Sequence, residues 1–89
     1  MKNMNYIRRT DVTVQSVDDE TLVLDLKADQ IHQLNPTASF IWKNCNGKRS
    51  AAELAAMFAE YFGVDIETAT KDVETIINQF IELGLIEIN

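Results

Sequence analysis

The chain has 89 residues, 46% hydrophobic and 25% charged, a composition that fits one globular domain and excludes a disordered chain. Its 14 acidic and 8 basic residues give a net charge of −6, which argues against binding duplex DNA, a polyanion that is bound through Lys and Arg. No segment approaches the roughly 18 apolar residues of a membrane span, and the N-terminus lacks the apolar run of a signal peptide. We therefore expect a cytoplasmic protein with no membrane partner.

The first half of the chain predicts a small antiparallel sheet. Residues 1–9 are expected to be a mobile N-terminal tail, which leaves residues 10–89 as the domain. Apolar and polar residues then alternate at period 2 in three segments joined by short turns. These predicted strands cover about residues 11–17, 21–26 and 30–34. The third strand is an edge of this meander unless another part of the fold covers it.

Two of these strands have a definable side-chain pattern. Leu22, Leu24 and Leu26 share one face of the second strand, and His32 and Leu34 share one face of the third. His32 is the only histidine, and on a short strand we expect it to be a structural residue. The pattern therefore predicts a sheet whose apolar residues are concentrated on one side of each strand.

Three helices are predicted after the sheet. Asn35 is a suitable N-cap and Pro36 fits the first helical position, so the first helix starts directly after the third strand. That helix should end near Asn46-Gly47, and Ser50 with Glu53 then forms a capping box for the second helix. The third helix is capped by Asp65 and closed by Gly84, and Leu85 to Ile88 could form a last short strand. The apolar residues recur at spacings of three and four, and those predicted to form the core include Ile41, Trp42, Cys45, Leu54, Phe58, Tyr61, Phe62, Val73, Ile77 and Phe80.

This order of elements predicts a segregated α+β fold. Catalysis finds little support, because with His32 as the one histidine no Cys–His or Ser–His–Asp set can be named, and one cysteine cannot form a Cys-x-x-Cys metal pair. No phosphate-binding loop, dinucleotide fingerprint or EF-hand is present, and the scattered acidic residues fit solvated surface and helix caps. We predict a protein that is not an enzyme and needs neither cofactor nor metal.

The third strand is the most informative part of the sequence. Residues 30–34 contain no Pro, Lys or Gly, the residues that usually protect a sheet edge. An unprotected edge can accept an extended peptide by strand addition. If the third helix packs beside it, a groove forms whose helical flank offers Lys71, Asp72, Thr75, Asn78 and Gln79. Alternatively, the edge is covered by another part of the fold or by a second copy of the chain.

Several segments of the sequence resemble the PqqD family, and together they extend over about residues 10–88. They are Gln33-Leu34-Asn35-Pro36-Thr37-Ala38, Ile41-Trp42, Asn46-Gly47, Ala52-Glu53-Leu54-Ala55 and Phe80-Ile81-Glu82-Leu83-Gly84-Leu85-Ile86. The resemblance implies a fold similar to the winged helix-turn-helix, with a three-stranded antiparallel N-terminal sheet followed by three helices. It also implies a recognition element for ribosomally synthesised precursor peptides that are later modified.

The resemblance further implies where the precursor binds. Its leader would add a strand to the third strand and lie against the third helix, and the domain would deliver the precursor to a radical SAM enzyme or a leader peptidase. Carried over to this sequence, the edge comprises Asp29, Gln30, Ile31, His32 and Gln33. The helical wall lies within residues 68–79 and comprises Thr68, Lys71, Asp72, Thr75, Ile76 and Gln79. The family often has aromatic residues where this chain has Ile31 and His32, so its leader preference should differ.

Two other functions stay open at this point. The first is a winged-helix DNA-binding regulator, although the third helix offers only Lys71 as a basic contact. The second is a structural subunit that self-associates through the edge strand and thus forms a homodimer. In the leader-binding hypothesis, the corner at Asn35-Pro36 lets Leu34 and Trp42 anchor the third strand to the core and keeps its edge rigid for a guest.

Overall fold

The order of elements confirms the predicted α+β class. A computed structural model describes residues 4–88, and within them it has six strands and three helices. The strands are β1 (Asn5–Arg8), β2 (Thr13–Val17), β3 (Glu20–Asp25), β4 (Gln30–Leu34), β5 (Asn46–Ser50) and β6 (Ile86–Ile88). The helices are α1 (Pro36–Asn44), α2 (Ala51–Phe62) and α3 (Ile66–Leu83). None of these helices is long and apolar enough to cross a membrane.

The predicted meander is present as an antiparallel sheet in the order β2-β3-β4. Strand β4 pairs with β3 on one side, and no strand within residues 4–88 pairs with its other side. The face of β3 that is turned toward the core consists of Thr21, Val23 and Asp25. Leu22 and Leu24 share the opposite face and are only half-buried. One face of this sheet therefore remains accessible, and Leu22 and Leu24 lie on it beside polar residues of β2 and β4.

The prediction of a mobile tail at residues 1–9 is wrong for Asn5–Arg8. These residues form β1, the central strand of a second antiparallel sheet in the order β5-β1-β6, and Met1 to Asn3 lie outside the described residues. The physical reason is that Tyr6 packs into the hydrophobic core, where its exposure falls to 8%. The strands that pair with β1 are far away in the sequence, so no local sequence pattern predicts this pairing.

The three helices and both sheets share one hydrophobic core. Among its most buried side chains are Ile41, Trp42, Leu54, Val73, Ile77, Phe80 and Leu85, together with Val23 and Leu34 from the first sheet. Cys45 is buried there as predicted, and burial raises the pKa of its thiol to about 11. The thiol is therefore neutral at physiological pH and is a packing residue rather than a nucleophile.

Two details of the helices differ from the prediction. Helix α1 ends at Asn44 rather than near Asn46-Gly47, because the chain enters β5 and pairs with β1. Tyr61 was expected in the core but is 68% exposed, since it stacks on Phe40 at the surface with a ring separation of 4.7 Å. The predicted capping box of α2 is present: Glu53 N donates to Ser50 Oγ and Ser50 N donates to Glu53 Oε1.

Candidate functional site

The C-terminal end of β4 is fixed to the helices at the corner where α1 begins. Asn35 Oδ1 accepts a hydrogen bond from Ala38 N at 2.9 Å and thereby caps α1. The buried hydroxyl of Ser39 donates to the carbonyl oxygen of Leu34 at 3.0 Å, and the Leu34 side chain is 5% exposed in the core. Ser39 was not singled out from the sequence. This corner thus orients β4 through both backbone and side-chain contacts.

Trp42 holds the same helix from its other end. Its Nε1 donates a buried hydrogen bond to the carbonyl oxygen of Leu85, at 3.1 Å, immediately before β6. Leu34 and Trp42 belong to the same buried cluster, as expected of anchors for β4. Because a buried donor and acceptor that match are costly to separate, α1 is fixed both to β4 and to the C-terminal strand.

The N-terminal end of β4 is fixed by the turn that follows β3. Asp29 N donates to Leu26 O at 3.3 Å, and Ala28 N donates to Asp25 Oδ1 at 3.2 Å. Asp29 itself has φ of 57°, a left-handed conformation that Asp tolerates better than most residues. Both ends of the five-residue strand are therefore held, while the edge between them has no partner strand within residues 4–88.

The predicted edge residues are accessible along this strand. Asp29, Gln30 and Gln33 are exposed, and Ile31 is 70% exposed. His32 pairs with Val23 across the sheet and is half-buried on the inner face, and its buried Nε2 has no hydrogen-bond partner among the described residues. Side chains of β4 therefore alternate between an accessible outer face and the inner side.

Helix α3 separates the predicted wall residues into two sets. Successive residues of an α-helix turn by about 100°, so the predicted wall residues fall on two sides of α3. Lys71 and Thr75 lie on the side that points away from the core. One flank of the helix carries the others, which are Thr68, Asp72, Ile76 and Gln79. Ile76 on this flank is half-buried and packs against the core. Leu83, which is 49% exposed, extends the flank by one turn toward Gly84.

The opposite flank of α3 faces the second sheet. Asn78, which the sequence placed beside the groove, instead lines a hollow with Tyr6, Ala51 and Glu74. Its prediction as a groove residue is therefore not supported by its position. The flank of Ile76 and Leu83 is the one that does not face β1.

The first sheet and α3 meet at Arg9, which lies within the predicted N-terminal tail. Arg9 Nη1 donates to Asp25 Oδ2 at 2.7 Å and to the carbonyl oxygen of Gly84 at 3.3 Å. Its Nε and Nη2 donate to the two carboxylate oxygens of Asp11, each at 2.9 Å, and its backbone N donates to Leu85 O at 3.1 Å. We call Arg9, Asp11, Asp25 and Gly84 the Arg9 junction. It joins the turn that leads into β4 to the C-terminal end of α3.

Charge keeps this junction closed at ordinary pH. The hydrogen bond from Arg9 lowers the pKa of the Asp11 carboxyl to about 2 and also holds the pKa of Asp25 below its usual value. The same two carboxylates raise the pKa of the Arg9 guanidinium. The side chain of Asp25 is only 4% exposed, so its charge is compensated by Arg9 and by the amide of Ala28 rather than by water.

Within residues 4–88, no group of three or more His, Cys, Asp or Glu side chains could hold a metal ion. Strand β4 packs mainly on β3 and α1, whereas α3 packs mainly on α2. Apart from the shared core and the Arg9 junction, β4 and α3 are therefore not packed extensively against each other. The site thus presents an accessible strand edge and a helix flank that are fixed to each other at one end.

Comparisons with known proteins agree with this architecture. The family model described as coenzyme PQQ synthesis protein D (PqqD) matches residues 20–86. No curated protein matches the chain significantly. A solved structure described as TbiB1 in complex with the TbiA(beta) leader peptide is similar, with 21% identity, a TM-score of 0.79, and coverage of 91% of this chain and 94% of that chain. Lasso peptide synthetase B1 complexed with the leader peptide has 23% identity, a TM-score of 0.78, and coverage of 93% and 98%.

Proposed function

The chain belongs to the PqqD family, and from this premise we propose that it is a non-catalytic adaptor that binds the leader of a ribosomally synthesised precursor peptide. The observation that carries the proposal is the free edge of β4, which is held at both ends and lacks the residues that protect an edge. The two solved structures of the same fold each contain a leader peptide. Strand addition to β4 is the binding mode that this edge supports best.

The leader would extend the first sheet to four strands and lie along the flank of α3. Backbone hydrogen bonds to β4 would supply affinity, and the α3 flank would receive every second side chain of the guest. Five residues of a strand span about 17 Å, which matches about 11 residues of a helix. The stretch of α3 of this length that ends at the Arg9 junction includes Ile76, Gln79 and Leu83, whereas Thr68 comes before it in the helix. We expect the first three to contribute most.

The outer face of the first sheet supports the delivery of the bound precursor to a modifying enzyme. The apolar residues of this outer face are half-buried Leu22 and Leu24, exposed Ile31, and Val17 and Leu26 at its ends, which are 62% and 77% exposed. The strand register places polar Thr13, Gln15, Glu20 and Gln33 among them. A surface that mixes exposed apolar and polar side chains in this way is typical of a protein contact. A guest strand on β4 would continue the same face, so an enzyme that covers it would contact adaptor and leader together. A radical SAM enzyme or a leader peptidase is the partner we propose for it.

The test is an amide NMR titration of the labelled protein with a synthetic leader from the precursor gene beside its own, and separately with duplex DNA. Shifts with the leader that are confined to residues 29–34 and the Ile76–Leu83 flank would support the adaptor. Shifts with DNA alone, centred on a helix, would overturn it in favour of a winged-helix regulator. A doubled mass in sedimentation that the leader converts to a one-to-one complex would mean that copies pair through the same edge.

Two substitutions on α3 separate the proposed wall from the rest of the helix. Leu83→Asp should weaken leader binding by about tenfold, since it places a charge in an apolar contact. Ile81→Asp is the matched control, because Ile81 is 41% exposed on the opposite flank of the same turn, against 49% for Leu83. Equal affinities for the two variants would move the leader away from this flank.

A separate substitution tests whether the outer face delivers the bound precursor to the modifying enzyme. Leu26→Lys alters the outer face at a position that is 77% exposed, so folding and leader affinity should be unchanged while the enzyme processes the bound precursor more slowly. Ile88→Lys, at a 54% exposed position in the second sheet, is the control. If processing is slowed equally by both, the outer face is not the enzyme's contact.

A further inference from the structure

Arg9 occupies a position that stability alone does not explain. Its pair with Asp11 is solvated on one side, since the Asp11 side chain is 46% exposed, and such pairs contribute little to folding. However, the same guanidinium also contacts two separate elements, the turn before β4 and the C-terminal end of α3. Asp25 Oδ2 and Gly84 O are both bound to Nη1, at 2.7 and 3.3 Å, so the turn before β4 and the end of α3 are held within one side chain's reach.

We propose that Arg9 is a positioning residue that sets the separation between β4 and α3 and thereby the width of the leader groove. This inference rests on the proposed function, since it assigns Arg9 a part in the same site without contact to the leader. The junction lies where β4 begins, next to Gln30, and where the α3 flank ends at Leu83. Arg9 therefore fixes one end of the groove, while the Asn35 corner holds the other end of β4.

The chemistry requires arginine at this position. The three guanidinium nitrogens make four hydrogen bonds to Asp11, Asp25 and Gly84 in a fixed plane, and the two bonds to Asp11 form a bidentate pair. Lysine has three donors on one rotating nitrogen and cannot span these acceptors at the same time. Arg9→Lys should thus keep the charge but loosen the distance between β4 and α3.

The experiment compares leader affinity by calorimetry with thermal stability for four proteins. Arg9→Met should lower the affinity by about tenfold, because a groove wall is displaced. It should also lower the unfolding temperature, because the Asp25 carboxylate, 4% exposed, loses its charged partner, so affinity is compared at a temperature at which both proteins are folded. Arg9→Lys should lie between Arg9→Met and the unchanged protein. Lys27→Met is the control, because Lys27 touches the junction only at 3.6 Å from Asp11 and is 80% exposed. It should bind like the unchanged protein.

A measurement without ligand separates this inference from the proposed function. Residual dipolar couplings of the free protein should report a changed orientation of residues 30–34 relative to α3 in Arg9→Met, and none in Lys27→Met. An unchanged orientation would overturn the positioning role whether or not a leader binds. Equal leader affinity in Arg9→Met and the unchanged protein would overturn it too, while leaving the adaptor intact. Failure of the unchanged protein to bind any leader would instead reject the proposed function. Should Arg9→Met not fold, Asp25→Asn tests the same link.

Discussion

The two sheets have the same number of strands and the same antiparallel pairing, but they are assembled differently. In the β2-β3-β4 sheet, consecutive strands are joined by turns of a few residues. In the β5-β1-β6 sheet, Tyr6 pairs with Arg49 on one side of its strand and with Ile88 on the other, and both partners come more than 40 residues later in the sequence. The first is a local hairpin structure, and the second joins the start, the middle and the end of the described chain.

This difference corresponds to a division of roles. The second sheet closes the core, since Tyr6 and Ile86 are 8% and 3% exposed. The first sheet contributes Val23 and Leu34 to the core but leaves its outer face and the β4 edge accessible. A local meander can leave an edge open because its own turns already fix its register. The distant pairings of the second sheet have no such local turns, and they depend on the burial of Tyr6 and Ile86 in the core.

The largest loss of stability is expected for a substitution at the centre of the second sheet. Tyr6→Ala should lower the free energy of unfolding by about 3 kcal/mol, because it removes a buried aromatic ring and leaves a cavity. The control is Val14→Ala in β2, a 42% exposed position that should change the free energy by less than about 0.5 kcal/mol. Chemical denaturation measures both, and equal losses would mean that the two sheets contribute equally to stability.

A smaller loss is expected where α1 is attached to the C-terminal strand. Trp42→Phe keeps most of the apolar area but removes the hydrogen bond to the buried carbonyl oxygen of Leu85. Because this carbonyl oxygen still accepts from Arg9 N, the loss should be that of one hydrogen bond, about 1 to 1.5 kcal/mol in the free energy of unfolding. Thermal and chemical unfolding measure the loss, and hydrogen exchange should become faster at Ile86 before it does at Val23. Faster exchange in the β2-β3-β4 sheet first would contradict the attachment.

The junction between β5 and α2 gives the next effect in size. Ser50→Ala removes the acceptor for Glu53 N and should lower the free energy of unfolding by about 1 kcal/mol. Ser16→Ala, at an exposed position in β2, is a control that should have no measurable effect. Urea denaturation distinguishes the two, and an equal response would mean that the capping box does not stabilise α2.

The sequence predicted the local parts of the fold and not the distant ones. Strand β4 was predicted at residues 30–34 and is present there, and Asn35, Ser50 and Asp65 cap the three helices as predicted. Each of these signals depends on neighbours within a few residues. Strands β1 and β5 have four and five residues, respectively, and pair across the chain, so periodicity could not reveal them.

The candidate site was predicted in the same uneven way. The accessible edge of β4 agrees with its lack of protective residues, whereas the wall on α3 was taken from the resemblance to the PqqD family and stays a prediction. Arg9 was missed because nothing local links it to Asp25 or Gly84, although Asp11 two residues later is a visible partner. Leu83 continues the apolar spacing of α3, yet it is half exposed at the end of the flank. Which leader residues occupy the groove stays a prediction.

The last and smallest effect tests the link between the first sheet and α3. The pKa of Asp11 is lowered from 3.8 to about 2 by the hydrogen bond from Arg9, and that of Asp25 is also lowered, first by Arg9 and then by Ala28. A carboxyl whose pKa is lower in the folded state stabilises that state fully above its unfolded pKa. This contribution is lost as the pH falls through the folded pKa, so the window lies between about pH 4 and pH 2.

Thermal unfolding measured across this window should therefore show a steeper loss for the unchanged protein than for Arg9→Met. The variant cannot be fully insensitive, because the pKa of Asp65 is lowered by its capping contact with Thr68, far from the junction. Adding 1 M salt should reduce the difference, since exposed charges are screened within about 3 Å at that ionic strength. If Arg9→Met loses stability as steeply as the unchanged protein, the carboxylates of Asp11 and Asp25 are not held by Arg9, and the first sheet is joined to α3 by the core alone.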